Sequence, residues 1–208
     1  MRMMPKTLLL GLLLTVPGDF ALAYEEPVYT VTKTYQDFEL RQYDAYVVAE
    51  TSVTGNFADV GKQAFRRLFS YINEGNRPQG KIAMTTPVIQ QPLPSVMEQT
   101  VFKDNSQGVE AIYRIAFVMP AVYSLEDLPR PDNAEVRLTS VPAKLMAARR
   151  YSGTWREERY RKHEQRLLEA LQAAGFKTLG PPIFARYNAP FSLWFLRRNE
   201  VLIEVAAP

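Results

Sequence analysis

The sequence predicts an α+β fold: a distorted antiparallel β-barrel of about eight strands with two long helices, built from a duplicated strand-strand-helix-strand unit. Three observations carry this prediction. Two long segments place apolar residues at the three-four spacing of an amphipathic helix. The remaining apolar runs are short and alternating, and they do not alternate with helices link by link, which argues for an antiparallel rather than a parallel sheet. The chain also resembles itself at an offset of 98 residues. Phe38-Glu39-Leu40-Arg41 falls on Val136-Arg137-Leu138-Thr139, Gly55-Asn56-Phe57 on Gly153-Thr154-Trp155, Phe65 on His163 and Phe69 on Leu167. The repeats span about 36–90 and 134–205, and a duplicated unit of this kind would bend the sheet into an open barrel.

The N-terminus reads as a targeting segment. Arg2 and Lys6 supply positive charge, Thr7 to Val16 an apolar run of ten residues, and Ala21-Leu22-Ala23 a small-x-small cleavage site. The run is shorter than the ~20 residues of a spanning helix. Residues 1–23 are therefore expected to be removed, leaving one domain over 24–208, exported to the periplasm, with no stable membrane span. A retained anchor is the alternative.

In the first unit, Phe38 to Arg41 and Ala45 to Val53 read as strands. Asn56 is placed to cap a helix from Phe57 to Glu74, with Val60, Ala64, Phe65, Leu68, Phe69 and Ile72 on one face and Gly75-Asn76 as the stop. Lys81 to Gln90 reads as an edge or bulged strand because it carries Pro87. Val101-Phe102 and Glu110 to Met119 read as connecting strands, the latter central. In the second unit, Glu135 to Thr139 and Lys144 to Tyr151 are strands. Thr154 with Glu157 has the pattern of a capping box, and the helix it would start stops at Gly175. Ile183 to Tyr187 and Asn199 to Val205 complete the sheet.

Between these last two strands lies the most unusual stretch. Phe191, Leu193, Trp194 and Phe195 crowd a loop, and loops normally lie in water. Arg197 and Arg198 follow. The loop either plugs the core, walls a pocket for an apolar ligand, contacts a protein or meets a membrane surface. The flanking cations suit a pocket whose ligand carries acidic groups.

Composition excludes several chemistries. There is no cysteine, hence no disulfide, thiolate metal site or cysteine nucleophile. The single histidine, His163, excludes a multi-histidine metal centre. A net charge of +3 without a basic run gives no footprint for nucleic acid. No nucleophile elbow, carboxylate cluster or phosphate-binding glycine loop is visible, so a non-catalytic protein is expected.

Several motifs occur in order along the mature chain. They are Phe38-Glu39-Leu40-Arg41 before Tyr43, Lys81-Ile82-Ala83-Met84-Thr85-Thr86-Pro87-Val88, Phe117-Val118-Met119-Pro120, Tyr187-Asn188-x-Pro190 and Arg197-Arg198-Asn199-Glu200-Val201. Together they resemble the SOUL family of haem-binding proteins, from about Tyr24 to Val205. The resemblance implies a distorted antiparallel barrel with two helices and the binding of haem b or a related tetrapyrrole, rather than a known reaction. It further implies that the ligand lies against the first helix, at Lys62, Phe65, Arg66 and Phe69, and against the loop carrying Tyr187, Pro190, Phe191, Trp194, Phe195 and Arg197. Some members carry a histidine where this chain has Gln42, a poor iron ligand.

For the metal, His163 is the one imidazole, but it shares a helical stripe with Tyr160, Leu167, Leu171 and Ala174, which is also the signature of a packed residue. Met84, Met119 and Tyr187 are the other donors. The guanidinium forks of Arg66, Arg67, Arg197 and Arg198 match propionates; solvated surface charge is the simpler reading of any one of them, and the Arg197-Arg198-Asn199-Glu200 stretch also reads as loop support. The expected function is binding of haem or a tetrapyrrole by a monomer, for storage, buffering or transfer. The alternative is a module for another amphipathic ligand or a protein partner.

Overall fold

The computed structural model describes residues 24–73, 80–93 and 111–207. The expected targeting segment, the expected helix stop at Gly75-Asn76 and the expected strand at Val101-Phe102 lie outside them. Nine strands and two helices follow one another as β1 (Tyr29–Thr34), β2 (Glu39–Tyr43), β3 (Tyr46–Gly55), α1 (Val60–Asn73), β4 (Val88–Pro92), β5 (Ala111–Val118), β6 (Arg137–Val141), β7 (Lys144–Tyr151), α2 (Glu157–Ala173), β8 (Ile183–Arg186) and β9 (Asn199–Glu204). All pairings are antiparallel, in the order β1-β2-β7-β9-β8-β4-β5-β3-β6. The fold is thus α+β as expected, with the sheet curled into a half-barrel rather than closed. The ninth strand is β1, whose mostly exposed Tyr-Thr-Val-Thr-Lys-Thr run carries little core pattern in the sequence.

Without β1, the strand order reads the same from either end when β2 is exchanged with β6, β3 with β7, β4 with β8 and β5 with β9. The helices obey the same exchange, since α1 packs on β3 and β5 and α2 on β7 and β9. Each half so related runs strand-strand-helix-strand-strand, one strand longer than the expected unit.

Alternation sends the two faces of the sheet to two apolar layers. Leu40, Ala49, Val53, Ile115, Phe117, Ala147, Val201 and Ile203 point to the helices, against Val60, Ala64, Leu68, Tyr71, Tyr160, Leu167 and Leu171. Tyr43, Val48, Ala116, Val118, Met146, Ala148, Tyr187 and Leu202 form the layer on the opposite face.

The helix ends differ from expectation. Asn56 Oδ1 accepts from the Asp59 amide at 3.0 Å, but Phe57 to Asp59 form a turn and α1 begins at Val60. The Thr154–Glu157 capping box does not form. The cap position is Arg156 without a side-chain bond, because Trp155 is drawn inward by its indole bond to Asn199 and Glu157 pairs with Arg161 instead. Gly175 does end α2, at φ 77°, a conformation that suits glycine. The strand expected over Lys81 to Gln90 is shorter: 81–87 is irregular, and pairing begins at Val88.

Candidate functional site

The loop before β9 is held from its base and leaves its apolar side chains in water. Phe191 is 90 % exposed, and Leu193, Trp194, Phe195 and Leu196 are all more than half exposed. A short 3-10 turn over Trp194–Leu196 shapes the tip. At the base, Arg197 donates through Nε to the Ser192 carbonyl at 3.0 Å and through Nη2 to the Pro190 carbonyl at 2.6 Å. Its guanidinium also lies 4.4 Å from the centre of the Trp155 ring.

Trp155 connects this base to α1. A second guanidinium, Arg186 at the end of β8, lies 5.3 Å from the same indole. The far end of Arg186 comes against Gly61 in the first turn of α1, where a Cβ would stand 3.4 Å from Nη1. Gly61, Phe65 and Phe69 follow at intervals of four, so they share a helical stripe. Phe65 is partly buried on Phe117 and stacks with Phe69, which is 42 % exposed. Lys62 and Arg66 are exposed beside them. The expected residues Lys62, Phe65, Arg66 and Phe69 therefore share one surface of α1, and Gly61, Arg186, Trp155 and Arg197 link it to the loop carrying Pro190, Phe191, Trp194 and Phe195. This is an open apolar surface. Two cavities, of ≈390 Å3 near Glu25, Tyr46 and Met119 and of ≈340 Å3 near Tyr29, Glu39 and Arg41, lie elsewhere and include none of these side chains.

Tyr187 is not part of this surface. Its ring is buried in the opposite layer, beneath the Arg198 guanidinium at 3.7 Å, and its hydroxyl donates to Glu200 at 2.9 Å. The reason is period: Tyr187 follows Ile183 and Ala185 on that face of β8, while Phe184 and Arg186 face the helices. Arg198 likewise turns away, to Glu26 at 2.8 Å and Glu200 at 3.0 Å. Arg67 is tied to Glu135 at 2.9 Å.

Glu200 sits at the centre of this opposite face, with no exposure. It accepts from Arg41 at 2.8 Å, from Arg198 and from Tyr187, and Arg41 also pairs with Glu39. Burial works to raise its carboxyl, but the bond and charge of Arg41, joined by Arg198 and Tyr187, outweigh it and hold the group below the usual carboxylate range.

The SOUL heme-binding protein family matches residues 24–204. The chain belongs to this family. Heme-binding protein 1 of Xenopus laevis is 25% identical over 170 residues, covering 78% of this chain and 84% of the relative. Among solved structures, the C-terminal domain of EcmrR superposes with a TM-score of 0.60 at 8% identity, over 87% of this chain and 99% of that one. An uncharacterized conserved protein from Listeria innocua does so with 0.60 at 12%, over 82% and 93%. At such identities these two show a shared fold.

The SOUL motifs can now be assigned to contacts. Arg41 and Glu200 make the buried pair. Asn188 Oδ1 accepts from the Arg198 amide at 2.6 Å, fixing the two ends of the loop together. Asn199 accepts from the Trp155 indole at 2.8 Å and donates to the Gly153 carbonyl at 3.1 Å. Thr85 donates to the Val118 carbonyl, and the Thr86 amide to the Glu25 carbonyl at 2.9 Å. Most of these residues position the loop rather than face a ligand.

The donors considered for iron lie apart from the α1–loop surface or inside the packing. His163 stacks on Tyr151 at 4.0 Å and accepts from Arg149 at 3.4 Å. Burial, then Arg149, Arg166, Arg159 and Lys162, pull its imidazole down to about 4. Met119 is in the core and Met84 packs on it. Gln42 lies on β2, near the far edge of the sheet from the strands that carry α1. Among the described residues, no three His, Asp or Glu side chains cluster in a way that could hold a metal ion, and no helix is long and apolar enough to cross a membrane.

Three contributors, Gly61, Trp155 and Arg186, do not stand out in the sequence. Trp155 was read only as the repeat partner of Phe57. Arg186 falls inside the expected strand Ile183 to Tyr187. Its signal was present: an arginine two residues after Phe184 falls on the apolar, helix-facing side of β8.

Proposed function

We propose that the protein binds haem or a related tetrapyrrole on the α1–loop surface, for storage, buffering or transfer, without catalysing a reaction. The observation that carries this reading is the loop itself. Five large apolar side chains stand in water at 191–196, next to guanidinium groups, on a base rigidly bonded to the sheet. A monomeric soluble protein rarely leaves such a patch uncovered unless it binds something. Family membership makes haem the first candidate.

The residues present fit the group. Phe65, Phe69, Trp194 and Phe195 offer flat apolar contact. Lys62, Arg66 and Arg197 have no carboxylate partner among the described residues and supply positive charge for propionates. A bound haem supplies two apolar faces, two carboxylates and an iron, and the reading assigns the iron no protein ligand. At ~25 cal/mol per Å2, roughly a few hundred Å2 of apolar contact gives useful affinity after ordering costs. The same reading keeps the protein monomeric, free of nucleic acid and exported, the last on the strength of the charged, apolar and small-residue pattern of residues 2–23.

Hemin titration of the mature protein tests it. Both tryptophans, Trp155 and Trp194, belong to this surface, so binding is expected to quench their fluorescence as the Soret band shifts at micromolar hemin. Absence of both signals sinks the reading. A second reading, a module for another amphipathic ligand, draws on the openness of the surface and its lack of an evident iron donor. Quenching by a metal-free amphiphile but not by hemin would favour it.

A further inference from the structure

We propose that Arg186 and Arg197, gathered around Trp155, form a carboxylate-binding position, so that the ligand of the α1–loop surface must carry a free carboxylate directed at the first turn of α1. This deepens the proposed function and rests on that reading for the location of the ligand.

The case begins with what Arg186 lacks. Its Nε is buried and has no hydrogen-bond partner. Its one side-chain hydrogen bond goes to the neutral Oε1 of Gln90, at 3.1 Å. Among the described residues no carboxylate pairs with it. Two rings flank it, Trp155 at 5.3 Å and Phe184 at 5.4 Å, and they stabilise a cation without neutralising it. Its tip meets the N-terminal turn of α1, the positive end of the helix, which is the wrong end for a cation. Burial draws its guanidinium down to about 10, with Tyr151 working the other way. The Tyr151 hydroxyl, close enough to act on that charge, is itself buried without a partner. Arg197, on the same indole, is bonded only to carbonyls.

Three other arginines, Arg41 buried and Arg114 and Arg198 partly buried, are treated differently. Arg41 has Glu200 and Glu39, Arg114 has Glu50, and Arg198 has Glu26 and Glu200. A half-buried guanidinium left with neutral acceptors calls for an anion from outside, and a planar fork selects a carboxylate. Access is open, since Gly61, Trp155, Arg186 and Arg197 are all partly exposed. Gly61 matters here for its missing side chain. A Cβ would sit in ordinary contact with Nη1, and anything larger would cover the tip of the arginine.

A carboxylate of this kind belongs to a tetrapyrrole propionate or to a fatty acid, and the test separates them. Wild type, Arg186→Met, Arg186→Lys and Gly61→Leu are titrated with protoporphyrin IX, its dimethyl ester and palmitate, with tryptophan fluorescence as readout and near-UV circular dichroism as a check of folding. Wild type is expected to prefer the free porphyrin over the ester by at least tenfold. Arg186→Met removes that preference, Arg186→Lys keeps part of it, and Gly61→Leu weakens the acid while its charge is intact. If Arg186→Met and Gly61→Leu keep the wild-type ratio of acid to ester, the inference is wrong while tetrapyrrole binding stands. If palmitate binds in an Arg186-dependent way and neither porphyrin binds, the carboxylate position stands and the tetrapyrrole reading falls. If none of the three binds, both fall.

Discussion

Two buried clusters on opposite faces of this sheet, around Glu200 and around Arg186, handle charge in opposite ways. On the face away from the helices, Glu200 has no exposure and is bonded to Arg41, Arg198 and Tyr187, while Arg198 continues to Glu26 and Arg41 to Glu39. Every charge in this network has an opposite neighbour. On the helix face, Arg186 has a glutamine, two rings and an orphaned Nε. The same residue type is locked on one side and left waiting on the other. A satisfied network fixes geometry, and here it fixes the loop and its closing strand. An unsatisfied cation is tolerated at some cost to stability, which makes sense where a ligand completes it.

The largest effect should come from breaking the satisfied side. Glu200→Ala leaves Arg41 buried beside Glu39 alone and strips the Tyr187 hydroxyl of its acceptor. Denaturant unfolding is expected to show a loss of about 3–5 kcal/mol. Arg186→Met should contrast with it, changing stability by no more than about 1 kcal/mol, because the loss of one neutral bond to Gln90 is offset by relief of a desolvated charge. Equal losses in the two variants would erase the difference between the faces.

The loop tip tests the comparison from the ligand side. Phe191, Trp194 and Phe195 are more than half exposed and belong to neither apolar layer, so changing all three to serine should leave unfolding free energy within roughly 1 kcal/mol. The same variant is expected to lose at least tenfold in hemin affinity, followed by the Soret shift. A large stability loss would mean that the tip is part of the core, and an unchanged affinity would move the ligand elsewhere.

Much of the fold was legible because periodicity survives folding. The apolar stripe of α1 and the alternation of Val201, Ile203 and Val205 are local facts, and the structure keeps them. The site was legible only where it lay on one element. Lys62, Phe65, Arg66 and Phe69 share a helix surface by spacing alone. Tyr187 was misplaced because the end of β8 sends neighbours to opposite faces, and the direction of a strand end depends on register with β4 and β9. Alternation puts Glu200 on the face of β9 opposite Val201 and Ile203, and a lone carboxylate there reads as solvated. Only the distant approach of Arg41, 159 positions away, makes that face dry and tolerable. The meeting of Arg186, Trp155 and Gly61 joins three elements far apart in sequence, which no local pattern announces.

The smallest effect reads the charge of the helix face through pH. His163 on α2 is stacked on Tyr151 of β7 and faces Arg149 of β7 together with Arg159, Lys162 and Arg166 of its own helix; Arg149 is itself paired with Asp37 at 2.7 Å. Its imidazole is drawn down to about 4, chiefly by burial and then by Arg149. The unfolded chain takes up a proton near ~6.5, where the folded chain does not. The contribution of His163 is therefore fully present above ~6.5 and is lost as pH falls from there towards 4. Allowing for its partial exposure, the loss between pH 7.5 and 5 should be about 1 kcal/mol. His163→Gln should flatten that part of the profile. Glu200, held below the usual carboxylate range, contributes above ~4.3 and is lost only on further acidification, so its step should remain in the variant. Two separable steps would show that the faces respond to acid independently. A single step, unmoved by His163→Gln, would assign the whole acid response to the locked face.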